Sequence, residues 1–431
     1  MKVDDVINVW NKWGIRAVVL LSFILQIFLL VLGEIRRRSS STTLRVFLWL
    51  AYLLADSTAI YALGHLSVVS GSREHQLVAF WAPFLLLHLG GPDNITAYAL
   101  EDNSLWLRHL QTLFVQVLGA AYVIYLYMSS SEILLLLGAS IAMFVAGLLK
   151  YSERIWALYC GNISSIRDNF NKTDHEVNPL RFVTAGTSRT REVLLKAHYN
   201  FSVCQSVFLD TTLEPGDVEP GLGPINVGVE IYKLVELELS LMYDILYTKA
   251  PVIHTRYGFC IRFISLIGTS IAFFLFQLSI SISSTGSGYD ADVIISYVLL
   301  VGALTLEDGA REQTGNEDGD GGLVEQDALL GHILRDRLFV SPTSQGISIA
   351  KPAAGQDCKQ LFDLGTYDTL KLILGLWVEM MAYAADHCNR DSHARQLSNG
   401  GEFLTIVWLL IHHQIYIERY NESIATSSDL A

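Results

Sequence analysis

Residues 77–103 read LVAFWAPFLLLHLGGPDNITAYALEDN, and the middle of this stretch decides how the chain folds. An apolar run ends at Gly90-Gly91-Pro92, and a polar segment follows it. Glycine readily ends a helix and proline suits the first position of one, so the break predicts a helix ending at Gly90 and a surface helix beginning near Pro92. Because lipid cannot pair exposed backbone groups, the break must lie at the membrane surface or inside protein.

Long apolar runs lie on both sides of this break. Seven of them qualify as spans or near-spans, at 14–33, 44–69, 77–89, 110–128, 133–149, 263–282 and 293–306. The third and the seventh reach only about 20 Å at about 1.5 Å per residue, against a hydrocarbon core of about 30 Å. The sequence therefore predicts an all-α fold, a polytopic transmembrane helix bundle of about seven spans, two of them short.

The composition agrees with this fold class and excludes others. Hydrophobic residues make up 51% of the chain and charged residues 17%, whereas soluble domains carry about 25% charged residues. The net charge of −13 gives no electrostatic reason to bind nucleic acid. The five cysteines follow no repeated spacing, so neither a disulfide framework nor a CxxC metal or redox site is predicted.

The runs and the segments between them predict five regions. These are a five-span membrane bundle (1–149), a cytosolic helical insert (150–256), two further spans (257–306), an acidic glycine-rich linker (307–366) and a C-terminal cytosolic helical domain (367–431). The linker is acidic enough to predict disorder. The insert carries a helical stripe of Leu194, Ala197, Phe201, Cys204 and Phe208. In the C-terminal domain, apolar residues between 370 and 381 form a stripe opposite Lys371 and Glu379.

The distribution of Lys and Arg in short flanks predicts the orientation of the bundle. With the N-terminus outside or lumenal, the inner flanks hold eleven of these residues and the outer flanks hold four. Positive residues favour the cytosolic side of a membrane. We therefore expect the insert and the C-terminus to face the cytosol from the plasma membrane or an endomembrane.

Four polar residues within the apolar runs form a candidate intramembrane site: Asp56, His65, His88 and Gln116. An ionisable group such as Asp56 is a functional candidate because burying it in lipid is costly. The alternative is an aspartate that holds two helices together. Isolated histidines and amides are explained equally well by interhelical hydrogen bonds of about 0.6 kcal/mol. At about 100° per residue, Asp56 and His65 also face different ways.

No catalytic or metal-binding motif is recognised. The residues His387, Cys388 and His393 lie together in a polar turn, but they lack the second ligand pair that a structural zinc site needs. HExxH, GxSxG, GxxxxGK[ST] and GxGxxG are absent from the sequence. We therefore expect no catalytic residues, no metal and no cofactor.

Several stretches resemble one family together. They are AD with YALG (55–64), HLGGPDNITAYALEDN (88–103), KYSER (150–154), LMYDILYTKAP (241–251) and SHARQLSNGGEFLT (392–405). Over residues 15–306 and 367–418 the chain resembles the plant membrane-protein family defined by domain of unknown function 4220, with a C-terminal domain of unknown function 594. The resemblance implies a multi-pass plant membrane protein, and residues 308–358 depart from the family pattern. It marks a polar motif that contains Asp93, Asn94, Thr96, Glu101, Asp102 and Asn103.

These observations favour a non-enzymatic, membrane-anchored interaction or regulatory protein. Its expected partners are the lipid bilayer and cytosolic proteins, whereas nucleic acid is not expected and the oligomeric state stays open. The alternative is a transporter or channel that uses Asp56 and the polar residues of the bundle. A membrane enzyme ranks third, and would require His88, Asp93, Glu101 and His109 to share a pocket.

The predicted orientation can be tested through the glycosylation sequons at Asn94, Asn162, Asn171, Asn200 and Asn421. All five face the cytosol in this topology and should stay unmodified, so glycosidase treatment of protein from native membranes should leave its gel mobility unchanged. An N-terminal tag that carries a sequon serves as the positive control. A glycan at Asn162 or Asn200 would contradict the orientation.

Overall fold

The computed structural model describes residues 3–36, 41–68, 76–128, 134–172, 189–211, 229–283, 291–314, 364–399 and 403–428. All regular structure in these ranges is helical. The helices are α1 (Val3–Arg36), α2 (Thr42–Val68), α3 (Gln76–Ala79), α4 (Ala82–Gly90), α5 (Leu100–Ser104), α6 (Trp106–Met128), α7 (Leu134–Cys160), α8 (Ile163–Lys172), α9 (Arg189–Leu209), α10 (Val229–Tyr247), α11 (Ala250–Ile253), α12 (Arg256–Ser283), α13 (Ala291–Thr314), α14 (Leu364–His387), α15 (Arg390–Leu397) and α16 (Phe403–Ser428).

The apolar helices confirm the predicted fold class. Among the described residues, five helices are long and apolar enough to cross a membrane: Trp13–Arg36, Thr42–Val68, Trp106–Leu126, Leu134–Cys160 and Arg256–Ile282. Two shorter apolar helices, Leu77–Gly90 and Ala291–Leu306, correspond to the two short runs in the sequence. The main difference is in α7, which continues through Cys160 although its apolar run ends at residue 149.

The chain divides into two compact units. Unit 1 contains Met1–Phe170, Tyr243–Leu329 and Ser398–Gly400, and unit 2 contains Asn171–Met242, Leu330–Leu397 and Gly401–Ala431. Unit 1 thus combines the predicted membrane segments. Unit 2 draws on both the insert and the C-terminal domain, which the sequence predicts as separate regions.

Unit 1 is built around the short helix α4. All its residues except Leu87 are buried, and it packs mainly against α7, with α2 and α6 on its other sides. Aromatic residues extend this core, since Phe80 stacks on Phe276 at 5.1 Å between ring centroids and the Trp81 indole donates to Ser296 Oγ at 2.9 Å. A helix that is apolar on all sides is stable only when it is surrounded, and α4 meets that condition inside the bundle.

The outer surface of unit 1 is apolar as well. Large side chains such as Phe47, Phe114 and Phe274 are exposed on α2, α6 and α12. Exposed apolar residues in such numbers are unfavourable in water but suit contact with lipid tails. Together with the helix lengths, this surface supports insertion of unit 1 into a membrane.

The predicted surface helix after Pro92 is wrong. Gly91 has a φ of +64°, which ends α4 in a conformation that suits glycine. The backbone from residue 91 to 99 is irregular, and the next helix is only α5, at Leu100–Ser104. The reason is that these backbone groups pair with the segment before α11. The Asp93 carbonyl accepts from the Lys249 N–H at 3.1 Å, and the Thr96 N–H donates to the Tyr247 carbonyl at 2.8 Å.

Unit 2 has a core of its own. Four of the five residues of the predicted stripe on α9 are buried, namely Ala197, Phe201, Cys204 and Phe208, while the side chain of Leu194 lies outside the described residues. Phe208 meets Trp408 of α16 edge-on at 5.0 Å. The Glu238 carboxylate of α10 lies 2.7 Å from Nε2 of His413, and burial raises its pKa although His413 acts in the opposite direction. The stripe is therefore part of the core of unit 2.

The predicted disordered linker begins too early. Helix α13 continues to Thr314, so residues 307–314 are helical, and α14 begins at Leu364. Helix propensity is moderate for the residues after Glu307 apart from the glycine, and a preceding helix can extend into them. Residues 315–363, which make up the rest of the predicted linker, lie outside the described residues.

Close packing of α4 on α7 predicts a specific glycine requirement. A Cβ at Gly147 would lie 3.0 Å from Leu86 Cβ and 3.0 Å from the Pro83 carbonyl oxygen, whereas a Cβ at Gly64 would meet nothing within 4 Å. We expect Gly147→Ala to lower the free energy of unfolding by about 1–3 kcal/mol because the extra methyl overpacks the contact. Gly64→Ala is the matched control and should have little effect. Equal unfolding midpoints for the two variants in detergent would contradict this packing.

Candidate functional site

The polar centre of unit 1 lies at the C-terminal end of α4. The last carbonyls of a helix have no partners within that helix, and they carry the negative end of its dipole. Here two cationic side chains from other segments bind carbonyls at this end: Arg154 Nη1 donates to the Leu89 carbonyl of the last turn at 2.8 Å, and Lys249 Nζ donates at 2.9 Å to the carbonyl of Gly91, the residue that follows the helix. The buried end of α4 is thus closed by positive charge.

Arg154 is paired in turn with Asp56. Its Nη1 and Nη2 atoms lie 2.7 Å and 3.1 Å from Oδ1 and Oδ2 of Asp56, a two-pronged geometry that matches guanidinium to carboxylate. The side chain of Arg154 is 4% exposed and that of Asp56 is 26% exposed. The guanidinium also lies 5.8 Å from the ring centroid of Tyr52. Asp56 therefore joins α2 to α7.

Five further charged residues form a second group, the ion cluster, which consists of Asp93, Lys150, Glu153, Lys249 and Arg262. Asp93 lies 2.6 Å from Arg262 Nη2 and 3.2 Å from Lys249 Nζ. Glu153 Oε1 lies 3.3 Å from Arg262 Nε, and its Oε2 lies 3.9 Å from the ammonium groups of both Lys150 and Lys249. The cluster links the irregular segment after α4 to α7, α12 and the start of α11.

Burial and charge act against each other at the ion cluster. Burial alone would raise the pKa of Asp93, but Arg262, Lys150 and Lys249 outweigh it and hold that pKa well below its ordinary value. Burial lowers the pKa of Lys249 from its ordinary value, although Asp93 and Glu153 act in the opposite direction. Asp93 therefore stays ionised at neutral pH, and removing one of its cationic partners would leave the buried carboxylate less fully compensated.

Three of the remaining residues of the polar family motif, Asn94, Asp102 and Asn103, bind backbone groups through their side chains. Asn94 Nδ2 donates to the Leu30 carbonyl at 2.6 Å, and Asn103 Nδ2 donates to the Leu246 carbonyl at 2.8 Å. The Asp102 carboxylate accepts from two backbone N–H groups before α5, each at 2.9 Å. Glu101 is exposed. These contacts show the motif fixing irregular backbone to α1 and α10.

The other candidate intramembrane residues lie apart from Asp56. His65 is exposed and its ring meets Tyr61 edge-on at 6.1 Å. His88 is buried, and its Nδ1 lies 3.0 Å from Ser22 Oγ of α1. Gln116 is buried on α6. The four candidate residues therefore do not form one site, and Asp56 pairs instead with Arg154, which is not among them.

His387 and His393, the two histidines near Cys388, contact different side chains. Among the described residues, no three His, Cys, Asp or Glu side chains are placed to hold a metal ion. His393 is buried, stacks on Trp408 at 4.2 Å, and has its Nε2 3.0 Å from the Ala385 carbonyl, so Nε2 carries the proton. Burial lowers its pKa, and the neutral ring can accept from Thr405 Oγ1 at 3.2 Å through Nδ1. His387 stacks on Tyr383 instead.

Sequence reasoning missed most of the polar centre. The sequence places Lys150, Arg154, Lys249 and Arg262 among the positive flanks of spans, and Lys150, Glu153, Arg154 and Lys249 within the family motifs, but it predicts no polar site at any of them. One local signal was available, since Lys150, Glu153 and Arg154 are spaced by three and four residues and share a face if the span continues as a helix. Lys249 and Arg262 carry no comparable local signal.

Two protein-family models match this chain. A family described as "Domain of unknown function (DUF4220)" matches residues 49–310, and one described as "Protein of unknown function, DUF594" matches residues 364–414. The chain belongs to the DUF4220 family. The resemblance found in the sequence to both domains is thereby confirmed. No curated protein and no solved structure matches the chain.

The family match covers the whole polar centre. All of Asp56, Arg154 and the ion cluster fall within the residues matched by DUF4220, as does the buried helix α4. The DUF594 match covers α14, α15 and the first part of α16, and these helices belong to unit 2. The match also covers Ser398–Gly400, which belong to unit 1. The DUF4220 match also includes residues 171–242 of unit 2, so the boundary between the two family domains differs from the boundary between the two compact units.

The pair of Asp56 and Arg154 predicts a large and non-additive loss of stability. Arg154→Gln should lower the free energy of unfolding by about 3–5 kcal/mol, because it leaves Asp56 unpaired and uncaps α4. Adding Asp56→Asn should recover part of this loss by removing the unpaired charge. The matched control is Arg256→Gln, since Arg256 is exposed on α12. Additive losses for the two substitutions, measured by denaturation of the purified chain in mixed micelles, would refute the pairing.

Proposed function

We propose that this DUF4220 protein is a non-enzymatic, membrane-anchored interaction protein in which unit 1 is the anchor and unit 2 binds a cytosolic protein. The observation that carries the proposal is the closure of the end of α4 by Arg154 and Lys249. It gives the charged residues of unit 1 a structural task, so the anchor needs no solute or substrate to account for them.

The comparison with transport chemistry supports this choice. In transporters with broken helices, free carbonyls at a helix end coordinate the transported cation. In this protein the corresponding carbonyls of Leu89 and Gly91 are bound by side-chain cations. Arg154 and Lys249 are paired in turn with Asp56, Asp93 and Glu153. Such mutual pairing favours a rigid bundle.

Unit 2 supplies the features of a binding module. Its core joins α9 and α16 through Phe208 and Trp408, and α10 to α16 through Glu238 and His413. A unit with a buried core can present a fixed surface at its polar positions, of which Lys233 on α10 and Arg419 on α16 are exposed. The excess of Lys and Arg in the inner flanks supports a cytosolic position for this unit.

Photo-crosslinking in native cells tests the proposal. A genetically encoded crosslinker at Lys233 or Arg419 of the full chain should give a discrete adduct with one protein, and the adduct should recur at neighbouring exposed positions. The same crosslinker at Phe114, which is exposed on α6, is the control and should give no such adduct because lipid surrounds it. Absence of protein adducts across the exposed positions of α10 and α16 would count against the proposal.

Transport is the second candidate, because α4 is a short helix that ends inside a bundle of longer ones, as in transporters with broken helices. Under our proposal, vesicles that contain the purified chain should be no more permeable to inorganic ions and small organic solutes than protein-free vesicles. Asp56→Asn should then change only stability. A solute flux that depends on the protein and that Asp56→Asn alters would favour the transporter instead.

A further inference from the structure

Helix α14 of unit 2 exposes an unusually large apolar surface. Seven of its large side chains are between 43% and 65% exposed: Ile373, Leu374, Leu376, Trp377, Val378, Met380 and Tyr383. Soluble surfaces rarely carry contiguous apolar patches beyond a few hundred Å², and larger ones mark contacts with a membrane or a partner. This surface, the α14 face, is independent of the protein-binding function proposed above.

The helix is held in unit 2 by its C-terminal end. Ala385 is fully buried, and its carbonyl lies 3.0 Å from Nε2 of the buried His393. Towards the N-terminus the pattern changes, since every residue from Ile373 to Met380 is exposed. The α14 face therefore projects from a fixed attachment.

The arrangement of residues around the helix axis indicates what covers this face. At about 100° per residue, the seven exposed apolar side chains occupy an arc of about 220°. Lys371, Glu379 and Asp386 are also exposed, and they fall within the remaining arc of about 140°. The helix is thus amphipathic with a wide apolar side and a narrow charged stripe.

A wide apolar arc suits lipid better than a single protein helix. A helix that packs on one side against protein typically buries an apolar stripe of about 100° or somewhat more. The α14 face is about twice as wide, so a second copy of α14 would leave many of these side chains in water. A bilayer covers more than half of a helix that lies in its interface and leaves a narrow charged stripe in water. Trp377 and Tyr383 also suit the interface, where aromatic residues with a polar edge are enriched.

We propose that the α14 face lies in the interface of a lipid bilayer and provides a membrane contact in addition to the helices of unit 1. The segment from Ile373 to Tyr383 is about 16 Å long at about 1.5 Å per residue, which is too short to cross a core of about 30 Å. The helix therefore lies along the membrane. Its charged stripe holds Glu379 and Asp386 against Lys371, so the contact depends on apolar burial and gains nothing from anionic lipid.

Site-directed spin labelling of the full chain tests this contact. A keto amino acid is encoded singly at Leu374, Trp377 or Lys371 and is labelled with a nitroxide, which leaves the native cysteines in place. Each labelled chain is reconstituted in phosphatidylcholine nanodiscs, and the relaxation of the label by oxygen and by a water-soluble nickel chelate is measured. Lys371 is the matched control, because it lies on the charged stripe of the same helix.

We expect labels at Leu374 and Trp377 to be at least threefold less accessible to nickel than the label at Lys371, and more accessible to oxygen. Adding phosphatidylserine should leave these values unchanged. Equal nickel accessibility at all three positions would overturn the proposal. Protection of Leu374 from both reagents would also overturn it, and dipolar broadening between labels would then identify a second copy as the cover. An unchanged unfolding midpoint for each labelled chain shows that the label leaves the fold intact.

Discussion

The structure of unit 1 depends on a requirement of the peptide backbone: a helix that ends inside a protein must find donors for its last carbonyls. Helix α4 ends at Gly90 inside the bundle, where Arg154 provides a donor for the Leu89 carbonyl and Lys249 provides one for the carbonyl of the next residue, Gly91. Buried cations then require carboxylates, because an unpaired charge is costly at low dielectric. Asp56 pairs with Arg154, and Asp93 and Glu153 pair with Lys249. The polar centre follows from the place where one short helix ends.

Close approach of the backbones makes this closure possible. A Cβ at Gly90 would lie 3.0 Å from the backbone carbonyl carbon of Lys150, so the end of α4 rests directly on α7. At that separation the side chain of Arg154, one turn further along α7, reaches the Leu89 carbonyl. Gly91 then turns the chain away in a conformation that glycine adopts without strain. The double glycine therefore serves both the packing of α4 and the exit of the chain.

The sequence predicts the helices of this protein better than it predicts their polar contacts. Span positions follow from runs of apolar residues, and run length is a local property, so 44–69 closely matches α2 and 263–282 lies within α12, which begins at Arg256. The end of α4 at the double glycine was likewise predictable. The helix predicted after Pro92 does not form, because the backbone of this segment pairs with residues near Lys249, far along the chain. Asp56 was recognisable as unusual, but its partner Arg154 is 98 residues away and was not.

The order of synthesis gives the ion cluster a further consequence. Asp93 and Glu153 belong to the first part of unit 1, whereas Lys249 and Arg262 follow the residues 171–242 that belong to unit 2. Chains emerge from the ribosome N-terminus first. Asp93 and Glu153 are therefore made before Lys249 and Arg262, and residues 171–242 of unit 2 are made in between. The helices of unit 1 that are made first can therefore form, but they cannot reach their final packing until α12, which carries Arg262, has been made. The final packing of unit 1 is in this sense a late event, because residues 171–242 separate the two sets of partners.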